Sequence, residues 1–142
     1  MRRALDLARE AARDGEVPVG AVVTRGTEII AEARNAMRGS LDPTAHAEIV
    51  AIREAAARLG RPRLDGCTIW VTLEPCAMCA GAMSLARLDA VRFGAEDPKG
   101  GGLVHGARVF SQSTCHHRPD VLGGIGDAES AELLRKFFEE RR

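Results

Sequence analysis

Hydrophobic positions along this chain change period from helical to alternating and back, and the changes mark out its elements. Residues 2–14 place Leu5, Ala8, Ala11 and Ala12 at helical spacing, with arginines and carboxylates between them. That pattern predicts a surface helix ending near Gly15. From Val17 to Ala33 the chain reads as two strands joined through the turn-compatible pair Arg25-Gly26. Asp42-Pro43-Thr44 then opens a second helix, with Thr44 as its cap, running through Ile49, Ile52, Ala55 and Ala56 to Leu59-Gly60.

The run Thr68-Ile69-Trp70-Val71-Thr72-Leu73 is apolar enough to lie in a sheet covered on both faces. Pro75 and Cys76 start another helix, extending through Met83 and Leu85, and residues 90–94 form the next strand. Residues 97–107 are a glycine-rich loop, a short strand is expected at 119–122, and residues 128–140 close the chain as an amphipathic helix. Helix, hairpin, helix, strand, helix, strand is an α/β order with helices on both faces of one sheet.

Composition narrows the setting more than the function. At 142 residues the chain fits one domain, residues 1–142. A chain of that size buries about two-thirds of its unfolded surface. Hydrophobic residues make up 45%, so a core forms without disulfides. The N-terminus Met1-Arg2-Arg3-Ala4-Leu5-Asp6 lacks the apolar run of a signal peptide, and no stretch approaches the roughly 20 apolar residues of a membrane span. A soluble, cytoplasmic protein with reduced thiols is expected. Twenty basic and 20 acidic residues give zero net charge, which does not announce a nucleic-acid binder. The aromatics are only Trp70, Phe93, Phe110, Phe137 and Phe138, so a broad base-stacking platform is not expected.

The chemistry is concentrated in two short segments, His46-Ala47-Glu48 and Pro75-Cys76-Ala77-Met78-Cys79. They supply one imidazole, two thiols and a carboxylate. Zn²⁺ takes nitrogen and thiolate ligands readily, and a catalytic site with three protein ligands leaves a fourth position for water, whose pKa falls to near neutral. A carboxylate two residues from the histidine can carry protons between that water and a substrate. The arrangement H-x-E…P-C-x-x-C is the signature of zinc nucleobase deaminases. Both segments fall at helix N-termini, where the dipole favours thiolates. A redox Cys-x-x-Cys pair or a structural zinc site are the alternatives. The first leaves His46 and Glu48 unexplained, and the second wants a fourth ligand at short spacing that Cys67, Cys115, His105, His116 and His117 do not supply.

Taken with their flanks, these segments resemble the bacterial tRNA-specific adenosine deaminases, which make inosine at the wobble base of an anticodon. The resemblance runs almost end to end: Glu16-Val17-Pro18-Val19-Gly20-Ala21-Val22, Asn35, residues 42–49, residues 71–83 and Phe93-Gly94-Ala95-Glu96-Asp97. It implies a cytidine-deaminase-like three-layer α/β/α fold with a mixed five-stranded sheet. It also implies His46, Cys76 and Cys79 as ligands of one Zn²⁺ and Glu48 as proton shuttle in hydrolytic deamination. Asn35 would hold the base, Asp97 would lie near the ribose, and Ala47 would join them on the substrate side. The implied partners are a tRNA anticodon stem-loop and a second copy of the chain, with no membrane. After Asp97 many relatives continue Lys-Thr-Gly-Ala-Ala-Gly-Ser, whereas this chain has Pro98-Lys99-Gly100-Gly101-Gly102-Leu103. A deaminase of a free base or nucleoside could use the same metal site, and a non-catalytic zinc-stabilised binding module is the reading from another class.

Other features carry plainer expectations. Cys67 reads as a small core hydrophobe. Phe137-Phe138 are expected in the core or a subunit interface. Arg61 and Arg63, Lys99, His116-His117-Arg118, Arg135-Lys136 and Arg141-Arg142 are basic clusters, most of them ordinary solvated surface.

Overall fold

In a computed structural model describing residues 1–141, the hairpin after the first helix begins a five-stranded mixed sheet. The first helix, α1 (Arg2–Arg13), buries Ala4, Leu5, Leu7, Ala8 and Ala11, the expected stripe with Ala4 and Leu7 added and Ala12 only half-buried. Strands β1 (Gly20–Arg25) and β2 (Glu28–Arg34) pair antiparallel. A four-residue helix α2 (Met37–Ser40) precedes α3 (Ala47–Leu59), and β3 (Cys67–Leu73) follows. Then come α4 (Ala77–Leu85), β4 (Ala90–Ala95), β5 (Asp120–Leu122) and α5 (Asp127–Glu139).

The sheet order is β2-β1-β3-β4-β5. β1 and β3 are antiparallel, whereas β3, β4 and β5 run parallel. Alternation along β3 sorts its two faces. Cys67, Ile69 and Val71 pack with Ala51 and Ala55 of α3 and Cys79 and Met83 of α4 in the main core. Trp70 points the other way, onto Ala4, Leu7 and Val22 under α1. The Ser130 hydroxyl of α5 donates to the Thr72 carbonyl on that second side. Helices therefore cover both faces, α3 and α4 on one and α1 and α5 on the other, a three-layer α/β/α arrangement.

Three sequence-based expectations shift. Thr44 does not cap α3. Its N–H and hydroxyl both donate to Asp42 Oδ1, at 2.9 and 2.7 Å, because Asp42-Pro43-Thr44 closes a side-chain turn of its own. His46 takes the cap position instead, in an extended conformation with no side-chain cap bond. Likewise Pro75 and Cys76 precede α4 rather than open it, with Cys76 at the cap. The Phe137-Phe138 pair divides: Phe137 is buried, while Phe138 meets it edge-on at 5.4 Å and is half exposed. Cys67 is fully buried, as expected of a core hydrophobe.

No helix among the described residues is long and apolar enough to cross a membrane. Arg142, grouped with Arg141 in the sequence reading, lies outside the described residues.

Candidate active site

Two helix starts meet at the carboxyl ends of parallel strands, where open α/β sheets place their ligand sites. β3 leads directly into Glu74-Pro75-Cys76, and β4 leads into the glycine-rich loop from Glu96. The Glu74 N–H donates to the Ala95 carbonyl at 2.8 Å, extending the pairing of the two strands past their ends. On the facing helix, His46 and Glu48 stand at the cap and in the first turn of α3.

The three expected ligands converge. His46 Nδ1 lies 3.6 Å from Cys76 Sγ and 3.5 Å from Cys79 Sγ. All three donor atoms fall within 4.8 Å of one another, close enough to share one ion. One nitrogen and two sulfurs are a donor set that fits zinc, with no fourth protein ligand in the group. Cys115, His116 and His117 do not form a second such group among the described residues. His117 Nε2 instead bonds the Leu88 carbonyl at 2.6 Å, and Cys115 Sγ lies against Ser84 and the His117 carbonyl.

The electrostatics divide the two thiols. The adjacent Cys79 side chain and the backbone N–H groups of the α4 start bring the Cys76 thiol down to about 5. The neighbouring Cys76 and burial push Cys79 up. Glu48 is only 4% exposed. Burial raises its carboxyl above the ordinary range, and the charge on Cys76 adds to the shift.

Asn35 is buried just after β2, and its Oδ1 accepts the Ala47 N–H at 2.8 Å. This bond ties the β2 exit to the first residue of α3, directly between His46 and Glu48. Ala47 is fully buried and its amide is committed to Asn35. The Asn35 Nδ2 has no protein partner among the described residues. Asp97 turns its carboxylate onto its own loop, where Oδ1 accepts the N–H groups of Lys99 and Gly100 at 3.2 and 3.0 Å.

Two buried carboxylates that the sequence reading assigned no role hold the loops beside the site. Glu16 accepts the N–H groups of Arg38 and Gly39, at 3.1 and 2.8 Å, fixing the α2 segment that follows Asn35. Glu74 accepts five donors from residues 97–105. Burial alone would raise the Glu74 carboxyl; the His105 ring and the N–H groups of Asp97, His105 and Leu103 outweigh it and hold the carboxyl below its usual range. The sequence offered no signal for either role, since apart from the His105 ring their partners are backbone amides.

Beside Asn35 opens a cleft of about 840 Å³ whose rim carries Arg13, Arg34 and Arg38. None of these belongs to the basic clusters picked out from the sequence. Arg34 is paired with Glu10 at 2.6 Å and with Asp14 at 2.8 Å. Of the sequence-picked clusters, Arg135 is paired with Glu132 and Glu139, and Arg141 stacks on Phe137 at 3.6 Å.

Comparison with known proteins places this geometry. A family model for MafB19-like deaminases matches residues 1–142. The tRNA-specific adenosine deaminase of Agrobacterium fabrum is 52% identical, across 100% of this chain and 93% of that protein. A structure solved in studies of A-to-I editing by tRNA:A34 deaminases at the wobble position of transfer RNA superposes with a TM-score of 0.93 at 51% identity, covering 94% of this chain and 97% of that one. The guanine deaminase of Bacillus subtilis gives a TM-score of 0.65 at 47% identity, over 67% of this chain and 61% of that one.

Proposed function

This chain belongs to the MafB19-like deaminases and, within that family, to the tRNA-specific adenosine deaminases, and from that premise we propose that it converts adenosine to inosine at the wobble position of a tRNA anticodon by zinc-dependent hydrolytic deamination. The observation that carries this reading is the convergence of His46 Nδ1, Cys76 Sγ and Cys79 Sγ beside a buried Glu48. In this reading residues 1–142 are one deaminase domain.

Zn²⁺ held by those three atoms would supply a water acidic enough to yield hydroxide near neutral pH. Glu48 takes the proton of the attacking water. It passes that proton to N1 of the adenine as oxygen adds to C6, and it then carries the new C6 hydroxyl proton to the exocyclic amine, which leaves as ammonia as C6 becomes a carbonyl. A buried carboxyl with a raised pKa suits such two-way traffic, because it holds a proton more readily than an exposed one. A structural zinc site has no use for this carboxylate, which weighs against a binding module without chemistry.

Asn35 is already fixed through Oδ1 and offers Nδ2 to the base, and Ala47, assigned to the substrate side, holds Asn35 in place through its N–H. Asp97 lies at the head of the loop beside the metal helix, where it is assigned to the ribose. A wobble base in a single-stranded loop enters such a pocket at little unstacking cost. The guanidinium groups of Arg13 and Arg38 on the cleft beside Asn35 suit the phosphates that position the loop. A substrate of this kind supports a cytoplasmic location.

A second copy of the chain completes the assembly. The outer side of α4 carries Met78, Gly81, Ala82 and Leu85, one apolar stripe at helical spacing. Leu85 is 83% exposed and Met78 40%. A helix apolar on all sides is ordinarily buried, and the small residues at its centre let another backbone approach. This supports a homodimer whose interface lies one to two turns from the metal ligands.

The likeness to a guanine deaminase favours a free purine as the second reading. The deciding experiment is inosine formation by zinc-loaded protein on an anticodon stem-loop with a wobble adenosine, with free bases and nucleosides assayed in parallel for ammonia. Inosine from the stem-loop alone supports the tRNA reading. Ammonia from a free base alone overturns it in favour of salvage.

A further inference from the structure

Glu74 is the most heavily hydrogen-bonded side chain among the described residues, and the proposed deamination chemistry does not use it. It sits between the end of β3 and Pro75-Cys76, with its side chain fully buried. Oε1 accepts the Asp97 N–H at 3.1 Å and the His105 ring at 2.8 Å. A carboxylate can only accept, so His105 Nδ1 carries the proton in that bond. Oε2 accepts the N–H groups of Leu103, Val104 and His105 at 3.2, 3.0 and 3.1 Å. Bonds to an ionised acceptor are about twice as strong as neutral ones.

Those contacts thread the loop between the carboxylate and the metal helix. The Gly102 N–H donates to the Pro75 carbonyl at 2.7 Å. A Cβ on Gly102 would stand 2.6 Å from the Ala77 nitrogen and 2.8 Å from the Cys76 carbonyl carbon. A Cβ on Gly101 would strike Glu74 Oε2. The loop thus passes against the helix start at a distance only glycine allows, held at both ends by one carboxylate. Asp97, the residue assigned to the ribose, has its amide on that carboxylate.

We propose that Glu74 is a positioning residue for substrate capture: it fixes the path of residues 97–105 beside the metal helix, and so the placement of Asp97 against the target nucleotide, without joining the proton transfers. The proposal rests on the deaminase reading for its substrate, but the hold on the loop is measurable without any substrate.

Glu74→Gln is the informative variant. With its carbonyl oxygen in the Oε2 position, glutamine keeps the three amides of residues 103–105 and presents an NH₂ to the other two donors. His105 can change ring tautomer and accept from that NH₂; the Asp97 N–H cannot, and it loses its partner. In zinc-loaded Glu74→Gln, amide exchange followed by NMR is expected to speed up at Asp97 by about tenfold or more, with residues 103–105 changed far less. KM for the anticodon stem-loop is expected to rise by about fivefold with kcat within about twofold, the signature of lost binding rather than lost chemistry.

His105→Ala serves if glutamine at position 74 prevents folding. It removes one donor, leaves the carboxylate, and is expected to give a smaller change in the same direction, in KM only. Unchanged exchange at Asp97, or a fall in kcat at constant KM and full zinc content, overturns the proposal. If the wild-type protein makes no inosine from the stem-loop, the tRNA reading fails, and the exchange comparison alone then decides whether Glu74 holds the loop.

Discussion

Asn35 accepts the backbone N–H of Ala47 at 2.8 Å, so a side chain after β2 fixes the residue between His46 and Glu48, the proposed zinc ligand and proton carrier. One bond thereby sets the spacing between the cleft at Asn35 and the start of α3. Asn35→Ala leaves that buried amide without a partner and is expected to cost about 1–3 kcal/mol, read from the urea midpoint of zinc-loaded protein. Asn35→Asp keeps the acceptor and removes the Nδ2 donor. It is expected to retain most of the stability while raising KM. An Asn35→Asp variant with wild-type KM would remove Asn35 from base recognition.

Glu48 follows Ala47 in the first turn of α3 and is buried against Cys79. Glu48→Gln keeps the shape and removes the titratable carboxyl. Zinc content measured by atomic absorption is expected to stay at one per chain, while kcat falls by about 10²–10⁴-fold. Full activity in this variant would falsify the assigned role.

Removing the metal exposes the difference between the two thiols. In chelator-treated protein, Cys76 is a half-buried thiolate at neutral pH, whereas Cys79 and Cys67 are buried and held as thiols. Iodoacetamide followed by peptide mass spectrometry is expected to label Cys76 first. Because the Cys76 pKa is lowered to about 5, thiolate is present above that pH, and the labelling rate is expected to fall as pH drops through it. Zinc is expected to protect Cys76. His46→Ala or Cys79→Ala is expected to lose both the metal and turnover. Labelling of Cys76 no faster than that of Cys67 and Cys79 would contradict the assignment.

The exposed stripe on α4 makes a test of assembly. Leu85→Glu changes a side chain that is 83% exposed in the single chain, so the protomer itself is expected to fold normally. Sedimentation is expected to move from dimer to monomer, because a carboxylate would be buried without a partner at the interface. A variant that sediments like the wild type would place the dimer contact elsewhere.

The His46, Cys76 and Cys79 cluster was legible in the sequence because its spacing is short and its candidate donors are side chains. His46 and Glu48, and Cys76 and Cys79, announce themselves within a few residues, and the apolar periodicity located α1, β3 and α5 to within a residue or two. The failures have equally local causes. Thr44 reads as a helix cap by its position, yet Asp42 lies two residues before it and captures both of its donors. The four residues of α2 are too few to show a period. Glu74 carried no sign of its role because its partners lie 23 to 31 residues away and most are backbone amides, which every residue possesses.

The loop from Asp97 to His105 is fastened almost wholly through its main chain, with glycine required where it passes the α4 start. The identities of its outward side chains, such as Pro98, Lys99 and Val104, are therefore decoupled from its trajectory. Lineages can rewrite what this segment presents to a neighbouring nucleotide while the scaffold beneath it stays constant. Such a loop is a natural place for one deaminase framework to diverge toward new sequence contexts, and a sensible place to randomise in a selection.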